Sequence, residues 1–239
     1  RPNFVELCVR LTGQDEQAFE HLWRYLGLSV DWSLTYATIG ADARRVSQLA
    51  FLDALAHGQA YQLEAPTLWD IDFRTAVAQA ELEDKEQSAA YHAITFHTPD
   101  GGDLVIETTR PELLAACVAV VAHPDDERYS ALFGTTVTTP LFGVEVPVVA
   151  HRLAQKDKGS GIAIICTFGD VTDVVWWREL DLPNRTIIGA DGRLIADAPE
   201  ALETGAAKAA YAELAGKTVF SAKARIVELL DIRVAIVEH

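Results

Sequence analysis

Two short segments of this 239-residue chain gather side chains that can act on an ester. The first is Glu107-Thr108-Thr109-Arg110-Pro111-Glu112. Read for structure alone it is a helix start, with Thr109 as cap, Pro111 in the first turn and Glu112 beside the positive end of the helix dipole. Read for chemistry, two hydroxyls, exposed backbone N–H groups and a guanidinium converge where a strand ends. Such donors can hold a ribose, an ester carbonyl and a water.

The second segment runs from the Gly159-Ser160-Gly161 turn through the apolar stretch ending at Cys166, then Thr167, Gly169, Asp170 and Asp173. Asp170 reads as a helix cap with Asp173 in the first turn. Alternatively both carboxylates face a pocket and bind a cation. No His or Glu stands at ligand spacing, which favours a protonated amine over a metal. The glycines lack the Gly-Lys-Ser/Thr ending of a phosphate loop, so a nucleotide triphosphatase reading is weak. A third run, His123-Pro124-Asp125-Asp126-Glu127-Arg128-Tyr129, is explained by acidic residues opening a helix, and His123 receives no catalytic role.

The elements that must position these segments read as an α+β fold. Residues 1–90 form a mainly helical flank: Phe19, Leu22, Trp23 and Leu26 fall at helical spacing, Thr12 and Asp15 are candidate caps, and Gly27 is a stop. A second helix is expected from Asp42 to the Gly58 stop, and residues 63–86 stay unassigned. In residues 91–197 short apolar runs are cut by turns. Ala93–Thr98, Pro99-Asp100-Gly101-Gly102 and Asp103–Thr108 read as a hairpin. Further strands are expected at Cys117–Ala122, Val144–Ala150, Gly161–Cys166 and Thr186–Ile188, with helices near Asp126–Phe133 and Asp170–Leu180. That spacing predicts a β-rich, barrel-like core. Residues 198–239 return to helix, with Leu202, Ala206, Ala209 and Ala210 on one face, and end in an apolar strand, Ile232–Val237, that has no evident partner.

Composition narrows the function classes. A hydrophobic share of 49% with 23% charged residues is that of an ordinary globular protein. No run approaches the roughly eighteen apolar residues that a membrane span needs. Cys8, Cys117 and Cys166 are an odd set with no Cys-x-x-Cys pair, which argues for reduced thiols over disulfides or structural zinc. The net charge of −15 argues against an unaided grip on a nucleic-acid backbone. Any RNA would enter through one terminal nucleotide while other parts of a larger protein hold the rest. Arg1 is not an initiator and no leader follows it, so the expectation is a cytoplasmic piece cut from a longer protein.

Taken in order, Thr108-Thr109-Arg110-Pro111-Glu112, the run His123 to Tyr129, Pro140-Leu141 with Val146-Pro147-Val148, and Gly159-Ser160-Gly161 with Asp170 and Asp173 resemble the editing insertion of class I aminoacyl-tRNA synthetases, most closely the valine type. The central resemblance covers about residues 92–197, and Asp31-Trp32 and the segment Thr75 to Glu83 resemble its flanks. Isoleucine-type insertions usually carry Thr-Thr-Thr-Pro-Trp where this chain has Thr-Thr-Arg-Pro-Glu, and leucine-type insertions normally lack the His-Pro-Asp-Asp-Glu-Arg-Tyr run.

The resemblance implies hydrolysis of the ester joining a wrong amino acid to the terminal adenosine of tRNA, threonine for valine, without metal or cofactor. ATP would serve only the synthetic part of the parent enzyme, and the partners would be the tRNA end and the rest of the synthetase. It implies Asp173 as binder of the α-amino group, with Thr108, Thr109 and Arg110 positioning adenosine, ester and water. Glu112 and Asp170 are further substrate-binding candidates. The chain departs from the family pattern at Leu113, Ile164 and Cys166, where hydroxyl-reading Thr and Lys-x-Thr are common, and at Gly169, where His is usual. Recognition of threonine then falls to Cys166, Thr167 or Lys158, or the pocket is partly degenerate. The alternatives are a non-catalytic module that positions tRNA or braces its parent, the editing domain of an isoleucine or leucine enzyme, and an acidic metal hydrolase built on Asp170 and Asp173.

Overall fold

The structure is a computed structural model that describes residues 2–63, 65–83, 89–230 and, for backbone alone, 234–236. The chain divides into two compact units, Arg1–Glu64 and Ala65–His239. In the first unit α1 spans Pro2–Tyr25 and α2 spans Ala41–Ala56. Gly27 and Gly58, at φ 79° and 68°, end them in the left-handed region that glycine enters without penalty. Helix α1 runs through Thr12 and Asp15, so neither is a cap. The Thr12 hydroxyl instead donates to the Cys8 carbonyl one turn back. No residue of either helix is buried.

The second unit opens with the two-residue strands β1 (Trp69–Asp70) and β2 (Thr75–Ala76) and a 3₁₀ turn at Gln79–Glu81, in the stretch that sequence left unassigned. The expected hairpin forms as β3 (Ala90–His97) and β4 (Asp103–Thr108), with Ile94 opposite Ile106 and Phe96 opposite Leu104. Alternation puts these four side chains on one face, where they are buried in the core. Four more strands follow: β5 (Cys117–Ala122), β6 (Thr136–Thr138), β7 (Glu145–Ala150) and β8 (Ile162–Cys166). The order across the sheet is β4-β3-β6-β7-β5-β8, antiparallel except for the parallel β5–β7 pair. The Glu107 N–H donates to Ser160 Oγ at 3.0 Å, bringing β4 beside the turn before β8 and nearly closing a barrel. The fold is therefore α+β with a barrel-like sheet and helices toward both chain ends. Among the described residues no helix is long and apolar enough to cross a membrane.

Helix α3 (Val171–Glu179) follows β8 as expected, and α4 (Gly205–Ala212) and α5 (Val219–Leu230) form the return segment. Several expectations need correction. Asp126–Phe133 holds turns and a single 3₁₀ turn at Ser130–Leu132, because Asp126 spends its carboxylate on Arg128. Thr186–Ile188 contributes only an isolated bridge, Ile188 to Leu194. The buried face of α4 is Ala207 and Tyr211, not Ala206 and Ala209. The terminal strand has a partner after all: β9 (Val234–Ile236) pairs antiparallel with residues 90–92 of β3.

Candidate functional site

Strand β4 ends at Thr108, and the chain turns at once into a 3₁₀ helix, Pro111–Ala116. Pro111 takes the first helical position, where its missing N–H costs nothing. The cap differs from expectation: Arg110 occupies it, and the Arg110 N–H donates to Thr108 Oγ1 at 3.1 Å, so Thr109 makes no cap and is left beside the cavity. The Arg110 side chain then reaches in two directions. Its Nε donates to Glu112 Oε1 at 3.0 Å and its Nη1 to the Gly169 carbonyl at 2.7 Å. Glu112 is fully buried beneath it, and its second oxygen, Oε2, has no hydrogen-bond partner among the described residues. Arg110 thus ties the end of β4 to the start of α3.

The second segment is held by the run His123–Tyr129. Arg128 grips Asp126 through Nε and Nη2, at 2.9 and 2.6 Å, and donates to the Lys156 carbonyl at 2.8 Å. The Tyr129 hydroxyl donates to the Ser160 carbonyl. A Cβ at Gly161 would lie 2.2 Å from Arg128 Nη2 and 2.6 Å from the Lys156 carbonyl, at φ +78°, so only glycine fits this turn. Beyond β8, Asp170 caps α3 as read from sequence, its Oδ1 accepting from the N–H groups of Thr172 and Asp173 at 2.7 and 3.0 Å. Asp173 is buried, and its Oδ2 accepts from the Gly169 N–H at 2.6 Å. Burial pushes its carboxyl up to about 6; the Gly169 N–H opposes that rise and the Asp170 charge adds to it.

These two segments meet at a cavity of about 330 Å³. Thr108, Thr109 and Arg110 line one side, and Asp170, Thr172 and Asp173 a second. Leu113, Ile162, Ile164, Cys166 and Trp176 make an apolar wall, and Tyr91, Glu107, Leu153, Gln155 and Lys158 are among the other lining residues. The wall therefore holds Leu113, Ile164 and Cys166, the three positions at which the resemblance leads one to expect polar groups. Cys166 is buried in it, its thiol pushed well above the usual range by burial and by the Cys117 thiol opposite on β5.

Two sequence candidates lie elsewhere. Glu112 is behind Arg110 and not in the lining. Thr167 points away from the cavity: its hydroxyl donates to the Arg185 carbonyl at 2.8 Å and accepts the Arg185 N–H at 3.0 Å. Sequence reasoning missed Trp176 and Tyr91. Trp176 falls three residues after Asp173, a spacing that shares a helix face and could have found it, whereas Tyr91 is adjacent to His92, the partner of Thr108, and strand alternation gave no signal for it. Among the described residues no group of three or more His, Cys, Asp or Glu could hold a metal ion.

A barrel whose strand end and acidic helix start converge on one cavity defines a class of protein, and comparison with known sequences names it. The family described as tRNA synthetases class I (I, L, M and V) matches residues 1–227, and the chain belongs to it. It is 71% identical over 230 residues to the valine–tRNA ligase of Leifsonia xyli subsp. xyli, covering 96% of this chain and 27% of that protein. It is 67% identical to that of Thermobifida fusca and 60% identical to that of Cutibacterium acnes, in each case over 96% of this chain and 26% of the relative. The chain spans about a quarter of the length of these relatives. Among solved structures, a ternary complex of Agrobacterium radiobacter LeuRS with tRNA and LeuAMS aligns at TM-score 0.37 and 16% identity, covering 75% of this chain and 32% of that one.

Proposed function

We propose that the cavity is a hydrolytic editing site within a valine–tRNA ligase, cleaving the ester of tRNA for valine that carries threonine. The observation that supports this reading is the placement of a buried carboxylate, Asp173, across one cavity from the donor cluster Thr108–Arg110. The α-ammonium of the aminoacyl group pairs with Asp173, which is costly to leave ionised and alone and gains most from a cationic partner. Thr108 and Thr109, with Arg110 fixed between Glu112 and the Gly169 carbonyl, orient the terminal adenosine, the ester and the attacking water. Asp170 is committed to capping α3 and contributes negative field beside the ammonium. Lys158 at the edge is free to meet the ribose-phosphate side of the ligand. No side chain is assigned as general base; positioning of water against the oriented ester supplies the acceleration. Neither metal nor cofactor enters the scheme, and ATP belongs to the parent enzyme's synthetic reaction.

The need for such a site is chemical. Valine and threonine are nearly isosteric, and a hydrophobic synthetic pocket rejects the hydroxyl by only about a hundredfold, a figure already measured for valine enzymes. A second pocket must reward the hydroxyl with a hydrogen bond that valine leaves unmade. Supplying threonyl-tRNA for valine to the full synthetase tests the proposal: rapid release of threonine is expected, and its absence refutes the reading. The apolar wall of Leu113, Ile164 and Cys166 favours a second reading, in which the module only positions tRNA or braces the parent chain. In that case its deletion weakens aminoacylation without raising mischarging.

A further inference from the structure

His151 follows β7 directly and is 7% exposed. Its Nδ1 accepts two hydrogen bonds, from the indole Nε1–H of Trp176 at 3.1 Å and from the Leu153 N–H at 3.2 Å. Both partners can only donate, so Nδ1 carries no proton. The ring proton therefore sits on Nε2, which donates to Glu179 Oε2 at 2.9 Å, while Arg152 approaches the other Glu179 oxygen at 3.9 Å. The tautomer is dictated by the surroundings. The His151 backbone is tied down as well, its N–H to the Ala122 carbonyl and its carbonyl to the Ala154 N–H.

What converges on Nδ1 matters for the cavity. Trp176 belongs to α3, the helix that carries Asp173, and its side chain lines the apolar wall. Leu153 begins the lining segment that continues to Gln155 and Lys158. One acceptor atom is shared between the helix on one side of the cavity and the loop on another, and the imidazole itself does not reach the lining.

We infer that His151 is a positioning residue, whose Nδ1 fixes the Trp176 indole against Leu153 and thereby sets how tightly the cavity grips an aminoacyl-adenosine; the inference rests on the hydrolytic reading for the nature of that ligand. The interaction acts on the shape of the bound site and not on the reacting atoms. Its loss therefore weakens binding before it slows the chemical step.

The test separates the two ring nitrogens in the full synthetase. His151→Asn places a carbonyl oxygen near the Nδ1 position, His151→Gln places its terminal amide near Nε2, and His151→Leu supplies neither. In deacylation of threonyl-tRNA for valine, the Leu and Gln variants raise KM about tenfold with kcat close to wild type, the loss expected of one net hydrogen bond, and the Asn variant restores KM. An Asn variant as impaired as the Leu variant, or a loss confined to kcat, overturns the inference. A second readout does not depend on activity. With fluorinated tryptophan incorporated, the resonance assigned by Trp176→Phe shifts in His151→Leu and His151→Gln and returns in His151→Asn. An unmoved resonance in His151→Leu overturns the anchoring. A wild-type enzyme that hydrolyses nothing sinks the hydrolytic reading, while the fluorine signal still decides the role of His151.

Discussion

The polar and apolar sides of the cavity are built on different physical terms. On the polar side nearly every group has a second job: Asp170 caps α3, Asp173 holds the Gly169 N–H, and Arg110 links Glu112 to the Gly169 carbonyl. Its geometry is over-determined, as preorganised electrostatics requires. The apolar side, Leu113, Ile164 and Cys166, is held mainly by packing, with one thiol–thiol contact from Cys166 to Cys117, and can change in chemistry while unpicking little hydrogen bonding. In a pocket organised in this way the polar geometry can persist while the chemistry of the wall changes.

Substitutions can break that contrast or sharpen it. The largest effect is expected from Asp173→Ala: deacylation by the full synthetase falls by at least about a hundredfold, the scale on which loss of a buried charge partner registers, with the circular dichroism spectrum unchanged. Equal activity in this variant removes the assignment of the amine site. Glu112→Gln comes next. It discharges the buried partner of Arg110 and is expected to lower stability by about 2 kcal/mol in urea titration, below the full cost of breaking a buried pair because Arg110 is partly exposed.

Asp173→Asn gives a pH-dependent effect of opposite sign. The folded-state carboxyl titrates near 6, above its ordinary 3.8, so wild type is favoured while the group is protonated and loses that stability as pH rises through about 6. The Asn variant has nothing to ionise. Its stability relative to wild type therefore grows between about pH 4 and pH 6 and levels off above, by up to about 3 kcal/mol for the full shift; thermal melts across that range check it, and a pH-independent difference contradicts it. The smallest effect is on the apolar side: Cys166→Thr restores a hydroxyl and is expected to improve hydrolysis of the threonyl ester about fivefold, one modest hydrogen bond. No gain would mean that this wall does not read the hydroxyl.

Local signals made much of the core legible. The β3–β4 hairpin was marked by Pro99 to Gly102 between alternating apolar residues, and α3 by its acidic cap. What stayed hidden was non-local. The contact of Arg110 with Gly169 spans 59 residues and that of Glu107 with Ser160 spans 53, and no periodicity encodes either. Strand β6 escaped because three residues with one buried side chain, Val137, show no pattern. Thr167 was a candidate that alternation argues against: with Cys166 facing the cavity, its neighbour faces the other way. The His151–Trp176 bond had no sequence signal, since a lone histidine and a tryptophan 25 residues apart announce nothing.

Gly169 carries a consequence for how this site can evolve. A Cβ there would stand 2.6 Å from Asp173 Oδ2 and 3.4 Å from Leu113 Cδ1. A side chain at 169 is therefore admissible only if the Asp173 carboxylate first adopts another rotamer, which also gives up the Gly169 N–H. The two positions are coupled: a side chain introduced at 169 is expected to cost more in this background than in one where Asp173 points elsewhere. A side chain at 169 is reached from this background only by a change that also moves the Asp173 carboxylate.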